Sequence, residues 1–194
     1  KCVMTVTMDQ AVACVKALLD KNQYHYSYDQ EKKRFTLRFN LKNKLNNCEI
    51  LIYVRPQSAD PSLCRVLMSY GMSPISADQD SMAAVCEYLT RANYGLTIGN
   101  FELDHRDGEV RYKVSCNVRE GLPGEDAVDD LIAMPVAMFN KYGNGFLAVN
   151  MGFSTPEDAA AQAEAGGGRQ STKRLVNWLE LTRRLLGSGE GNCR

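Results

Sequence analysis

Residues 109–118 alternate without interruption: Val110, Tyr112, Val114, Cys116 and Val118 hold one phase, and Glu109, Arg111, Lys113, Ser115 and Asn117 hold the other. Successive strand side chains point to opposite faces, so this stretch reads as a strand with one face on a core and the other turned outward. The preceding His105-Arg106-Asp107-Gly108 ends in Asp-Gly, and Gly108 can take the positive φ that a short hairpin loop requires. The passage 93–118 is therefore expected to be a β-hairpin. In its first arm Leu96 and Ile98 share one phase while Phe101 and Leu103 share the other, a switch that a bulge at Gly99 explains.

The remainder of the chain supplies partners for that hairpin. Thr7-Met8-Asp9-Gln10 has the form of a capping box, and Ala11, Val12, Val15, Leu18 and Leu19 give one apolar stripe, so a helix is expected over 8–21. Tyr24, Tyr26 and Tyr28 suggest a short strand, followed by a polar turn and a clean alternation at Phe35, Leu37, Phe39 and Leu41. Residues 48–54 are apolar in both phases, which places that strand centrally. Residues 63–70 read as a further strand with Cys64, Val66, Met68 and Tyr70 in one phase. Asp78 and Asp80 open a second helix, closed near Asn93 or Gly95 by a left-handed residue. A third helix follows residue 124, with a kink or break expected at Pro135 and an interruption at Gly143-Asn144-Gly145. Phe146 to Phe153 is not assigned. Thr155-Pro156-Glu157-Asp158 starts an Ala-rich helix, Gly166-Gly167-Gly168 is a joint, and Leu175, Val176, Trp178, Leu179, Leu185 and Leu186 outline a last amphipathic helix over 172–186 before a Gly/Ser-rich tail expected to be disordered.

Balanced charge, 23 Lys and Arg against 23 Asp and Glu, gives no overall field to attract nucleic acid or an anionic membrane. The basic clusters at Lys32-Lys33-Arg34, Lys173-Arg174 and Arg183-Arg184 read as solvated faces, with an acidic partner as the alternative. Seven cysteines at 2, 14, 48, 64, 86, 116 and 193 are odd in number and contain no Cys-x-x-Cys, which argues for a reducing compartment and against a disulfide framework or zinc site. No run of about 18 apolar residues marks a membrane span.

The order of helix, four strands, helix, hairpin and helix is an α+β layout: an antiparallel β-sheet with helices packed on it, plus a C-terminal helical extension. Tyr88-Leu89-Thr90-Arg91-Ala92-Asn93, then Gly99-Asn100-Phe101-Glu102-Leu103-Asp104 and Asp107-Gly108-Glu109-Val110, resemble the hallmark of the YbjN-domain family of bacterial sensory transduction regulators. The resemblance implies a fold like that of type III secretion chaperones over residues 1–153, with 154–194 as the extension. It also implies a protein that binds other polypeptides without catalysis and often self-associates. Asn93, Gly99, Phe101, Glu102, Asp104 and Gly108 match the motif, and the roles it suggests are structural: helix end, bulge, core anchor and turn.

The expectation is thus a non-catalytic, chaperone-like or regulatory module of a bacterial cytoplasm. Its partner is a polypeptide or a second copy forming a homodimer, with no nucleic acid, membrane, metal or cofactor. The alternative is a thiol-dependent enzyme or a small-ligand binder. A nucleophilic cysteine needs a base within hydrogen-bond reach, and only His25 and His105 are available. Glu102, Asp104, Asp107 and Glu109 gather around one turn, but without the spacing of a calcium loop. Gly166 to Gly168 lacks the Lys-Ser/Thr of a phosphate loop.

Overall fold

The computed structural model describes residues 5–118 and 121–166; the expected helix over 172–186, most of the glycine joint and the tail lie outside them. The elements run α1 (Met8–Lys21), β1 (Ser27–Asp29), β2 (Arg34–Asn40), β3 (Asn47–Pro56), β4 (Cys64–Met72), α2 (Met82–Tyr94), β5 (Asn100–Leu103), β6 (Val110–Asn117), α3 (Glu125–Asn150) and α4 (Pro156–Gly166). The six strands form one sheet, ordered β1-β2-β3-β4-β6-β5, antiparallel throughout. The class is α+β, with the hairpin β5–β6 inserted so that β6 pairs β4.

Local chemistry sets the first helix as expected. The Gln10 N–H donates to Thr7 Oγ1 at 3.1 Å and the Thr7 N–H to Gln10 Oε1 at 2.9 Å, a reciprocal cap. The stripe Ala11, Val15, Leu18 and Leu19 is buried in one core with Ile50, Ile52 and Leu67 of the sheet. Phe101 reaches the same core from β5, edge-on to Phe139 and Tyr142 of α3 at 5.6 and 5.7 Å between ring centres. Tyr24 and Tyr26 fall before β1, which is only Ser27–Asp29, and pack their rings on Phe39 and Phe35.

In β4 the buried phase is Leu67, Ser69 and Gly71, opposite to the phase read from Val66, Met68 and Tyr70. The cause is a register shift at Arg55/Pro56: Pro56 faces Cys64 but Arg55 faces Val66, so Arg65 is an extra residue and the alternation inverts beyond it. Gly71 then lies under α3, where an added Cβ would stand 2.6 Å from Pro135 Cβ. Small size at that position lets the helix approach the sheet.

Helix α3 runs unbroken through Pro135 and through Gly143-Asn144-Gly145 to Asn150, so the expected break and interruption do not occur. The two glycines are sites of close approach. A Cβ at Gly143 would sit 2.6 Å from Asn43 Nδ2 and 2.7 Å from Leu45 Cδ1, and one at Gly145 would collide with the Tyr88 hydroxyl. That hydroxyl donates to the Tyr142 carbonyl at 2.7 Å, tying α2 to α3. Helix α2 begins after Ser81, later than Asp78 and Asp80 suggested, and its Gly95 cap has φ −98°, right-handed and not left-handed.

Thr155 caps α4, accepting from the Asp158 N–H at 3.1 Å. This helix lies against α2 and α3 with only Ala159 and Ala160 buried, and polar contacts supplement that small apolar area. Glu164 accepts from Lys141 at 2.8 Å and from the Tyr142 hydroxyl. Burial opposes ionisation of Glu164, but these bonds and the Lys141 charge outweigh it and hold the carboxyl below its ordinary range. A depressed folded-state pKa contributes stability that is complete above the unfolded value and lost as pH falls through the folded one. Amide protection in α4 is expected to decline as pH drops below about 4, the unfolded glutamate range, and Glu164→Gln to remove that dependence. Protection factors that stay level to low pH in the wild type would contradict this.

Candidate functional site

The helices cover one face of the sheet; among the described residues none covers the other. Cross-strand register assembles that second face in rows: Arg34, Tyr53 and Met68 stand opposite one another across β2, β3 and β4, and the next row is Thr36, Leu51, Tyr70 and Lys113. Tyr53 and Tyr70 meet edge-on, 5.9 Å between centres at 74°. The Arg55 guanidinium lies 4.2 Å from the Tyr53 ring centre, with that of Arg34 at 5.9 Å, and the Arg111 guanidinium lies 4.3 Å over Tyr70. Arg111 Nε donates to Glu102 at 2.8 Å, and Lys113 donates to the same carboxylate. The result is a ladder from Arg55 through two tyrosines to Arg111, Glu102 and Lys113. Each cation–aromatic contact is worth about 0.5–1 kcal/mol at an exposed site, so the ladder also orders its own side chains.

Tyr, Arg and Met are the types enriched in protein–protein contacts, and tyrosine offers area at low entropic cost. Leu51, Tyr53, Met68 and Tyr70 are half-buried by their neighbours alone. Glu102 is the motif residue that belongs to this surface. Burial opposes its ionisation, but bonds from Lys113 and Arg111 hold its carboxyl below the usual range.

The other motif residues sit elsewhere. Asn93 does not cap α2 by a left-handed turn; its side chain reaches the outer edge of β5, accepting from the Phe101 N–H at 2.7 Å and donating to the Phe101 carbonyl at 3.0 Å. One amide thus occupies the donor and acceptor that a further strand would use, which closes this edge. Gly99 has φ +76° and precedes a four-residue β5 whose register with β6 is regular, so there is no bulge inside a longer arm. Thr97 and Ile98 form a bend, and Ile98 is 40% exposed. The glycine is required because a Cβ there would stand 2.6 Å from the Lys113 carbonyl oxygen. Asp104 is held by Arg106 across the turn. Gly108, φ +75°, accepts on its carbonyl from the Ala77 N–H at 2.8 Å, docking the β4–α2 connection.

Replacing Asn93 with leucine leaves the edge amide and carbonyl of Phe101 unpaired. A loss of about 1–3 kcal/mol is expected in denaturant titration, the cost of unsatisfied polar groups. Light scattering should show larger species through the opened edge. An unchanged mass distribution with an unchanged midpoint would contradict the edge-closing role.

Burial pushes Cys48 up to about 12 and raises Cys14, Cys64 and Cys116, so these stay protonated and weakly nucleophilic at neutral pH. His25 and His105 are exposed. Among the described residues no group of three or more His, Cys, Asp or Glu is placed to hold a metal ion, and no helix is long and apolar enough to cross a membrane.

The sequence reading places Arg34 in a basic cluster with an acidic partner as the alternative, but does not single out Tyr53, Tyr70 or Arg55 as site residues. For Tyr53 the signal is apolar character in both phases of residues 48–54, which reads as a central strand; β3 is central, and its second phase, Leu51 and Tyr53, is half-buried.

No curated protein matches the chain. A family model described as "Putative bacterial sensory transduction regulator" matches residues 12–148, from the first turns of α1 to the end of α3, and so spans the whole sheet. That match covers well over half of the 194 residues, and the chain belongs to the YbjN family.

Proposed function

We propose that this chain is a non-catalytic regulator of the bacterial cytoplasm that works by binding a polypeptide on the uncovered face of its sheet. The observation that carries the reading is the tyrosine–arginine ladder on a face that no described helix covers. Two further features support it. The β5 edge is plugged by Asn93 and the β1 edge is three residues long, so strand addition has little to pair with. The raised thiols speak for a binding role over a thiol-dependent one. Five free cysteines among the described residues suit a reducing compartment.

The test compares wild type with the double variant Tyr53→Ala, Tyr70→Ala as bait in bacterial lysate, then measures the recovered polypeptide, once purified, by calorimetry. The wild type is expected to bind it, and the variant to lose about tenfold or more in affinity, the cost of truncating interface tyrosines, while circular dichroism stays unchanged. Equal binding by the two would place the docking surface elsewhere; a second copy of this chain as the only species retained would make the face a dimer interface.

A further inference from the structure

We propose that the segment docking on this face is acidic, and that Arg34 and Arg55, set about the Tyr53 ring, are the pair that receives its carboxylate. The inference rests on the reading of the open face as a docking surface and specifies what that surface recognises. The carboxylates on the face already have partners within the chain. Glu49 is held by Arg38 at 3.1 Å, Glu102 by Arg111 and Lys113, and Glu109 lies 3.8 Å from Arg111. Asp29, next to Arg34 in register, accepts from the Lys32 N–H at 3.0 Å at the turn. Arg34 and Arg55 form no ion pair within 4 Å among the described residues and stand about one ring: Arg55 lies on the Tyr53 ring at 4.2 Å, and Arg34 lies 5.9 Å from its centre, with Asp29 and Glu49 near enough to favour its charge.

A guanidinium presents a planar fork of donors that matches a carboxylate, and stacking on a ring fixes its orientation without using those donors. Arg55 is held in this way on Tyr53, and Arg34, at the margin of the same ring, adds a second guanidinium to the positive charge offered to an anion. Beside them, Leu51, Met68 and Tyr70 offer apolar contact at strand spacing, so the fitting segment alternates Asp or Glu with aliphatic or aromatic residues. The chain's own segment 171–186 is a poor occupant, because it carries Lys173, Arg174, Arg183 and Arg184 against Glu180 alone. Single-stranded nucleic acid is disfavoured because its bases need bare ring faces, and Arg55 and Arg111 lie over those of Tyr53 and Tyr70.

Fluorescence anisotropy on the full chain tests this with three labelled probes: a short peptide alternating Glu and Asp with Leu and Phe, its Gln/Asn counterpart, and oligothymidine. The acidic peptide is expected to bind, to weaken as salt is raised, and to lose about tenfold in affinity with Arg34→Gln, Arg55→Gln. The Lys double variant should retain part of the binding, and Tyr70→Ala should weaken both peptides alike. Equal affinity for the acidic and amide peptides, or no binding of either, overturns the acidic specificity. Acidic-peptide binding indifferent to both the arginine and the Tyr70 variants overturns the surface itself. Oligothymidine binding that exceeds peptide binding and is lost in the arginine variant overturns the choice of a polypeptide.

Discussion

Gly108→Val is expected to lower stability by about 2–6 kcal/mol, combining left-handed strain of about 1–3 kcal/mol with overpacking of about 1–3 kcal/mol. Gly108 has φ +75°, where a β-branched residue is strained, and an added Cβ would run into the Ala77 carbonyl. Ala77 cannot retreat freely. Its N–H donates to the Gly108 carbonyl, and the next residue, Asp78, donates its N–H to Asn150 Oδ1 at 2.9 Å, so the connection is pinned between the hairpin and the end of α3. Gly152 is the internal control: its φ is +72°, but nothing lies within 4 Å of its added Cβ. Gly152→Ala should cost about 1 kcal/mol from strain alone. Urea titration of both variants separates the terms, and equal losses would show that the contact with Ala77 carries no weight.

Phe101→Ala is expected to cost about 3–5 kcal/mol, the range for removing a buried aromatic from a core that cannot collapse around the gap. Phe101 is 5% exposed and touches three rings: Tyr112 at 4.8 Å, Phe139 at 5.6 Å and Tyr142 at 5.7 Å. Its backbone is held by Asn93 on one side and β6 on the other, so the strand has little freedom to close the void. Phe153→Ala, at a residue 78% exposed, should change stability by less than about 0.5 kcal/mol. A loss of less than about 1 kcal/mol at Phe101 would remove this side chain from the role of joining β5 to α3.

Elements dominated by local chemistry were legible in the sequence. The Thr7–Gln10 box, the Thr155 cap, the alternation of β6 and the turn glycine Gly108 all depend on neighbours a few residues away. Departures arose where a distant element decides. The phase of β4 inverts at a bulge visible only once β3 lies beside it. Gly143 and Gly145, which look like breakers, sit inside a helix because Asn43, Leu45 and Tyr88 come too close for a side chain. Asn93 reads as a helix end and does lie in the last turn of α2, but what the sequence does not show is that its amide also works on a strand eight residues later. The open face was the least legible part: Tyr53 and Tyr70 are ring neighbours only through the β3–β4 register, and both lie in phases that read as apolar, so neither marks an outward face by itself.

The central claim is that the uncovered sheet face is the docking surface. Its most direct test is backbone amide shift mapping on the full, nitrogen-15-labelled chain, titrated with the purified polypeptide that the wild type retains. The account predicts that the largest shifts fall on Leu51, Tyr53, Met68, Tyr70 and Arg111, on the strands bearing the ladder. Shifts confined to α2 and α4, with these strands unmoved, would contradict it.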